Sequence, residues 1–214
     1  MNREMKLIEN IRLCHPDIYQ VSESSLIIFY REILKWNKTL NLVSRKDPER
    51  ATMRLIIDSL YLRHVIEGNE VILDIGAGAG FPSIPLMLCH DACEIVMAES
   101  RKKRAAFLQH IIYLLKIDNA SVVCETVSED FFKDYESFDI IWAKAALPLK
   151  RLFVLGKRGL KKGGKLVFFR SFEKKDERER LRRAATEHGY TPPSQNVYSC
   201  PDLYLTRTIT VCRR

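Results

Sequence analysis

Two hydrophobic periodicities divide the chain. Up to about residue 66, apolar residues recur at helical spacing, as in Leu26, Phe29 and Ile33. Beyond that point, short apolar runs alternate with helical segments, which is typical of a doubly wound, mostly parallel sheet covered by helices. We therefore predict an α/β fold with an N-terminal helical subdomain at 1–66 and a second domain at 67–214.

The apolar runs of the second domain predict its strands. Each run is short and rich in valine, isoleucine, leucine or phenylalanine, as buried strands are. Segments with helical spacing follow the first, second and fifth runs. The predicted strands are 71–75, 94–98, 122–124, 138–143, 161–169 with its leading glycine turn, and 208–212.

The first predicted strand runs into an acid and three alternating glycines. Asp74 is followed by Gly76, Gly78 and Gly80, and Pro82 stands where a helix would begin. Glycine permits a positive φ and the close approach of a ligand, and a helix N-terminus offers free N–H groups. The stretch therefore predicts a turn that holds a small cofactor.

The spacing of the glycines indicates which cofactor. A dinucleotide site needs G-x-G-x-x-G, and the third glycine of that pattern would fall at Phe81. The observed D-x-G-x-G-x-G resembles motif I of the class I S-adenosylmethionine (SAM) methyltransferases, in which the acid helps to fix the turn. A glycine-rich connection without a ligand, and a nicotinamide or flavin site, remain as alternatives.

An acid ends the second predicted strand. Glu99 follows the apolar run by one position and lies about twenty residues beyond the glycines. Because ligands of open α/β sheets bind outside the carboxyl ends of the strands, Glu99 is placed to accept the ribose hydroxyls of a bound adenosine. The alternative is a surface acid that caps the next helix, which Ser100 could do equally well.

Cations open the helix that follows. The net charge of the chain is +8, which favours a polyanionic partner. Lys102, Lys103 and Arg104 stand at a helix N-terminus, where positive charge opposes the helix dipole. A phosphate backbone would explain their presence, so we predict that they bind RNA. A solvated helix face is the competing explanation.

Cysteine usage and hydropathy narrow the class of protein. The six cysteines form no C-x-x-C pair and no matching Cys/His set, which argues against a zinc site. The first ten residues resemble no signal peptide, and no apolar run approaches the length that spans a bilayer. We therefore expect a cytoplasmic protein with reduced thiols, no metal and no membrane association.

The segment after the fourth predicted strand lacks two methylase signatures. An adenine-N6 or cytosine-N4 methylase would carry Asn or Asp followed by Pro-Pro and an aromatic residue, and a cytosine-C5 methylase would need a nucleophilic cysteine. The chain instead has Lys144-Ala145-Ala146-Leu147-Pro148. Transfer to an exocyclic amino group or to a ring carbon of cytosine is therefore not indicated.

Four motifs of the chain belong to one pattern. They are Trp36-Asn37-Lys38-Thr39-Leu40-Asn41-Leu42, Ile57-Asp58-Ser59, the turn from Asp74 to Pro85 with its Phe-Pro-x-Ile-Pro, and Lys103-Arg104 with Phe107-Leu108. Together they resemble one family, RsmG, also called GidB, the bacterial small-subunit ribosomal RNA guanine-N7 methyltransferases. The resemblance runs from about Phe29 to Gly164.

The resemblance implies a monomeric cytoplasmic enzyme that uses SAM to methylate N7 of a guanine in 16S ribosomal RNA. It also implies that the substrate is RNA of the small ribosomal subunit. Carried over by position, the cofactor contacts would be Gly76, Gly78, Phe81, Glu99, Val127, Ser128 and Lys144. We further expect Lys144 and Arg170 to line the substrate pocket.

The chain departs from the family pattern on the substrate side. The family usually has histidine where Leu55 stands, an acid at Ser128, arginine at Lys144 and lysine at Arg170. The glycine turn keeps the family pattern. Two further functions therefore stay open: a SAM methyltransferase of the same descent that acts on another RNA or a small molecule, and a non-catalytic RNA-binding protein.

Overall fold

A computed structural model describes residues 3–18, 23–90, 93–135, 137–143, 147–169, 174–200 and 205–214. In chain order, the helices and strands are α1 (Arg3–Cys14), α2 (Glu23–Leu40), α3 (Pro48–Leu60), a 3-10 helix (Tyr61–Val65), β1 (Val71–Ile75), α4 (Ser83–Met87), β2 (Glu94–Ala98), α5 (Lys102–Leu115), β3 (Ala120–Val123), α6 (Phe131–Asp134), β4 (Phe138–Ala143), α7 (Leu149–Gly159), β5 (Leu160–Phe168), α8 (Lys175–Glu187), β6 (Ser194–Cys200) and β7 (Leu205–Arg213).

The strands of the described residues form one sheet in the order β3-β2-β1-β4-β5-β7-β6. The first five strands pair in parallel, and β7 pairs antiparallel with both β5 and β6. The strand order reverses direction next to β1, which creates a crevice at the carboxyl ends of β1 and β4. The predicted α/β fold with a doubly wound, mostly parallel sheet is confirmed.

Two cores fill the space between the sheet and its helices. One face of the sheet packs against α1 to α5, with Phe29, Leu60 and Phe107 among its buried residues. The other face packs against α7 and α8, with Phe153 and Leu181 buried. Because the N-terminal helices share the first core with the sheet, they form part of the frame of any site at the sheet edge. The boundary at residue 66 stays a prediction.

Helix α3 begins at a side-chain cap. Asp47 is the N-cap of α3, and its Oδ1 accepts a hydrogen bond from the backbone N–H of Arg50 at 3.0 Å. Pro48 occupies the first turn, where its missing N–H is not needed. Among the described residues, no helix combines the length and the apolarity that crossing a membrane requires.

Two N-terminal elements reach the carboxyl edge of the sheet. The carbonyl of Asn41, just after α2, accepts a hydrogen bond from Arg104 in the first turn of α5, 2.8 Å away. The loop from α2 to α3 therefore lies beside the carboxyl end of β2. Since α3 leads from this loop to β1, its N-terminal end lies at the same edge. The entry to β7 lies there too, because β7 runs antiparallel to β5.

Candidate active site

The glycine turn at the end of β1 has the backbone that the sequence predicts. Gly76, Gly78 and Gly80 have φ values of 74°, 60° and 84°. The N–H groups of Gly76 and Ala77 both donate to the carbonyl of Ala98 at the end of β2, at 2.8 and 3.1 Å. The turn is therefore fixed to the neighbouring strand and lies over the carboxyl edge of the sheet.

The second and third glycines of the turn, Gly78 and Gly80, meet different structural requirements. At Gly80, a Cβ atom would lie 2.7 Å from Cγ1 of Ile84 and 3.0 Å from Cδ2 of Leu108, so a side chain has no room. At Gly78, a Cβ atom would have neighbours no closer than 3.7 Å. Gly80 thus allows α4 and α5 to pack under the turn, whereas at Gly78 the constraint is the positive φ and not a lack of space.

Asp74 is buried at the base of the turn and connects its two ends. Its side chain is 1% exposed, and its Oδ2 accepts a hydrogen bond from the hydroxyl of Ser83. Because Asp74 lies on β1 and Ser83 is the first residue of α4, this bond joins the two elements that flank the glycines. Asp74 therefore helps to fix the turn, as the motif predicts. The role of Ser83 was not predicted. A single serine inside the otherwise apolar Pro82–Leu86 could have indicated a buried hydrogen bond at this position.

Glu99 is held between the glycine turn and α5. Its Oε2 accepts a hydrogen bond from the N–H of Gly78 at 3.0 Å, and its Oε1 accepts one from the N–H of Arg101 at 2.8 Å. The residue is 5% exposed. Both bonds run to backbone groups, so the position of the carboxylate is set by the main chain at the carboxyl edge.

The residues at this edge fit a nucleoside cofactor. A carboxylate has about four lone-pair sites, and the two hydrogen bonds leave capacity on each oxygen of Glu99 for one ribose hydroxyl. The backbone beside it is partly accessible, since Gly76 is exposed and Gly78 is half-buried. The turn and the acid therefore lie in contact at this edge, and their role as cofactor contacts stays a prediction.

Three other predicted cofactor residues differ in their exposure. Val127 is 3% exposed and packs in the second core, and Ser128 beside it is half-buried. The Phe81 ring is 5% exposed and packs edge-on against Phe29, with ring centroids 5.3 Å apart. The side chain of Phe81 therefore belongs to the core, and a cofactor contact at this position would come from its backbone. Lys144 lies outside the described residues.

The predicted RNA-binding cations occupy two environments. Lys102 and Lys103 are exposed in the first turn of α5. Arg104 is half-buried, donates to the carbonyl of Asn41, and has its NH1 atom 3.8 Å from the Cβ position of Gly78. The geometry therefore favours a positioning role for Arg104 at the glycine turn. Arg170 lies outside the described residues.

A link between the N-terminal helices and the site was not predicted. Asn41 has a positive φ of 52°, which suits an asparagine at a helix end, and its carbonyl meets Arg104. The Trp-Asn-x-x-x-Asn-Leu motif, to which Asn41 belongs, therefore has one structural reason: its last asparagine holds the arginine that lies over the glycine turn.

The chain matches a family model described as GidB, rRNA small subunit methyltransferase G, over residues 22–203. It is 35% identical over 123 residues to the ribosomal RNA small subunit methyltransferase G of Neisseria gonorrhoeae, a match that covers 58% of this chain and 59% of that protein. The Helicobacter hepaticus protein of the same name is 33% identical over 151 residues, which cover 71% of this chain and 81% of that protein.

The fold is also similar to solved methyltransferase structures. A methyltransferase from Pyrococcus furiosus superposes with a TM-score of 0.60 at 15% identity, covering 89% of this chain and 96% of that one. At this identity the likeness shows the fold alone, and the fold is that of the class I SAM methyltransferases.

Proposed function

The chain belongs to the GidB family of rRNA small subunit methyltransferases, and from this we propose that it transfers a methyl group from SAM to N7 of a guanine in small-subunit ribosomal RNA. The observation that supports the proposal is the hydrogen bond between Glu99 and Gly78, which joins the acid that we propose for the ribose to the glycine turn. The match to the Neisseria protein covers 59% of its length, so the activity and the substrate are the proposal.

The residues that would hold SAM are those at the carboxyl edge of β1 and β2. The two remaining acceptor positions of Glu99 suit the ribose hydroxyls, and the exposed Gly76 with the half-buried Gly78 suits the methionine part. Bound there, SAM supplies an activated methyl group on a sulfonium sulfur. Val127 and Ser128, in the loop after β3, lie on the side where the adenine would be expected.

The proposed acceptor explains the simple chemistry of the site. Guanine N7 carries an in-plane lone pair at neutral pH, so the protein needs no general base to activate it. The protein must instead hold the acceptor atom in line with the transferred group, and alignment of this kind can contribute about 7–11 kcal/mol to lowering a barrier. Rigid placement of Glu99 by two backbone N–H groups serves that purpose.

The exposed cations support an RNA substrate. Lys102 and Lys103 project from the first turn of α5, next to the glycine turn, and carry part of the excess charge of +8. Phosphates that bind there would pass along the same edge as the cofactor. We place the enzyme in the cytoplasm as a monomer that acts on the small ribosomal subunit.

Methyl transfer to isolated subunits tests the proposal. The full chain is incubated with labelled SAM and with small ribosomal subunits from a strain that lacks this modification. We expect label in the small-subunit RNA and none in large subunits treated in the same way. SAM binding without transfer to either subunit would assign the chain to another acceptor, and absence of SAM binding would identify a non-catalytic relative.

A further inference from the structure

A cavity lies among the N-terminal helices, apart from the glycine turn. It has a volume of about 550 Å³ and is lined by residues of α1, α2 and α3 together with Leu205 at the start of β7. This volume is within the range of small-molecule sites, about 300–1,000 Å³. Of the predicted cofactor residues that the structure describes, none lines it.

The cavity contains a polar group that the protein leaves unsatisfied. Tyr30 on α2 lines the cavity and is 3% exposed, yet its hydroxyl has no hydrogen-bond partner among the described residues. A buried hydroxyl without a partner costs free energy, so such groups in native proteins usually meet a ligand, an ion or water. Asn10, which is 7% exposed, lines the same cavity and adds a second buried polar side chain.

The rim of the cavity is positively charged. Arg50 and Arg54 on α3 and Lys6 on α1 are exposed, and their side chains have no ionic partner within the described ranges. Arg3, also at the rim, is paired with Glu49. With Asp47, the lining holds four cations and two acids, so an anion is favoured at the mouth.

The wall of the cavity is apolar. Met53, Ile57 and Leu205 line it beside the phenol of Tyr30. An apolar cavity with one unsatisfied hydroxyl and unpaired guanidinium groups at its mouth matches the parts of a nucleotide: a flat base inside and a phosphate outside.

The fold places this cavity beside the methyl-transfer position. The N-terminal end of α3 and the start of β7 both lie at the carboxyl edge of the sheet. In the sheet, β7 is separated from β4 by β5, and at a spacing of about 4.8 Å per strand the offset is about 10 Å. The cavity and the glycine turn therefore lie at the same edge of the sheet.

We infer that the cavity between α1, α2 and α3 binds a nucleotide of the RNA strand that flanks the methylated guanine. Its base contacts Tyr30, and its phosphate is bound by Arg50 and Arg54. This inference rests on the proposed function for the identity of the RNA. It also gives the N-terminal helices a role in selecting the substrate, through a site separate from the cations of α5.

The test compares two pairs of charge-neutralising substitutions. In the first variant Arg50→Gln is combined with Arg54→Gln. In the matched control Arg178→Gln is combined with Arg182→Gln, two exposed arginines of α8 on the other face of the sheet. Both variants lower the net charge by two. Binding of unmethylated small subunits is measured from low to high salt, and SAM binding is measured by calorimetry.

We expect the Arg50/Arg54 variant to bind the subunits at least tenfold more weakly than the control variant, with the slope of log affinity against log salt reduced by about one to two. SAM affinity should be unchanged in both. Equal weakening in the two variants would overturn the inference, because the loss would then come from net charge alone.

A second variant tests entry of the base. Tyr30→Phe removes only the unsatisfied hydroxyl and keeps the ring in the core, so the thermal unfolding temperature should be unchanged or higher. We expect KM for the subunits to rise about threefold to tenfold with kcat unchanged. An unaltered KM would show that the hydroxyl meets no substrate group and would overturn this part of the assignment.

The two proposals fail in different ways. If the unaltered chain transfers no methyl group to any RNA but binds small subunits through Arg50 and Arg54, the proposed reaction fails and the cavity keeps its nucleotide. If transfer proceeds normally in the Arg50/Arg54 variant at limiting subunit concentration, the reaction stands and the cavity assignment is wrong.

Discussion

The carboxylate of Glu99 accepts a hydrogen bond from the backbone N–H of Gly78 at 3.0 Å. The two residues come from different strand ends, 21 positions apart in the chain, and meet at the carboxyl edge of β1 and β2. This contact makes the glycine turn and the acid one rigid unit. The cofactor-binding predictions follow from it.

Replacement of Glu99 by glutamine tests the acid. The amide keeps one acceptor oxygen but places an NH₂ group against a backbone N–H, so one of the two bonds to Gly78 and Arg101 is lost. Hydrogen bonds to charged groups contribute about 1.5–3 kcal/mol, so SAM should bind about 10-fold to 100-fold more weakly in calorimetry. Glu179→Gln on α8, an exposed acid, is the control, and equal SAM affinity in the two variants would contradict the role of Glu99.

Alanine substitutions at Gly80 and Gly163 test how tightly the residues under the turn are packed. Their φ values are 84° and 83°, so alanine meets the same backbone strain at both positions. Only at Gly80 would the new Cβ collide with neighbours, at 2.7 Å from Ile84, whereas at Gly163 nothing lies within 4 Å. We expect Gly80→Ala to lower the free energy of unfolding by about 1–3 kcal/mol more than Gly163→Ala.

Denaturant unfolding of the two variants measures this difference. The shared strain of about 1–2 kcal/mol cancels when the variants are compared with each other. Equal free energies of unfolding would mean that α4 and α5 move apart at no cost, which their packing in the first core argues against.

The cations of α5 should separate into two functions. Lys102→Gln with Lys103→Gln removes two exposed charges, so RNA should bind more weakly with a smaller salt dependence, while SAM affinity is unchanged. Arg104→Gln also removes the bond to Asn41 beside the glycine turn, so its SAM affinity should fall as well. Calorimetry with SAM distinguishes the two. A loss of SAM affinity in the lysine variant would show that the exposed pair also shapes the cofactor site.

His15 makes stability depend on pH. Its Nε2 donates to the carbonyl of Ile57 at 2.9 Å, and its Nδ1 accepts from Arg63 at 2.8 Å, so the folded protein holds the neutral ring. Burial lowers the pKa of His15 from 6.5 to about 4. Because the unfolded chain takes up a proton that the folded chain does not, the free energy of unfolding falls as pH drops from about 6.5 to about 4, by at most about 3 kcal/mol.

Denaturant unfolding at several pH values measures this dependence. Burial also lowers the pKa of His64, which contributes in the same direction, so the comparison is between the unaltered chain and His15→Gln. The variant is expected to be less stable at neutral pH but to lose less stability on acidification. The same loss in both proteins would show that His15 does not take part.

Strands β2 and β4 show what the sequence determines well. Their predicted bounds, 94–98 and 138–143, agree with the structure, because each is an apolar run that is buried between neighbouring strands. The third strand was predicted at 122–124 and lies at Ala120–Val123. Its edge position leaves none of its four residues fully buried, so the apolar signal there is weak.

Strand β6 and helix α7 show what the sequence does not determine. β6 contains Ser194-Gln195-Asn196 and is largely exposed, and only its pairing with β7 makes it a strand. The predicted last strand, 208–212, is correspondingly shorter than the observed Leu205–Arg213. α7 contains glycines within its apolar pattern and was not predicted.

The sequence predicted which residues lie at the candidate site but not which of them are in contact. The positions of Asp74 and Glu99 at strand ends follow from local pattern, so the sequence alone identifies both acids. Phe81 faces the core against Phe29, and Arg104 binds Asn41. Both contacts depend on how α2 and the residue that follows it pack against the rest of the fold, which no local pattern encodes. Both contacts join residues more than fifty positions apart.

The position of the transferred methyl group tests whether the chain methylates N7 of a guanine in small-subunit RNA. Small subunits that lack the modification are methylated by the chain with labelled SAM, and the RNA is cleaved chemically at N7-methylguanine. We expect the label on one guanine of small-subunit RNA, at the position where the RNA is cleaved. We also expect weaker labelling by the Glu99→Gln variant. Label on another atom or another RNA, or no transfer by a chain that binds SAM, would contradict it.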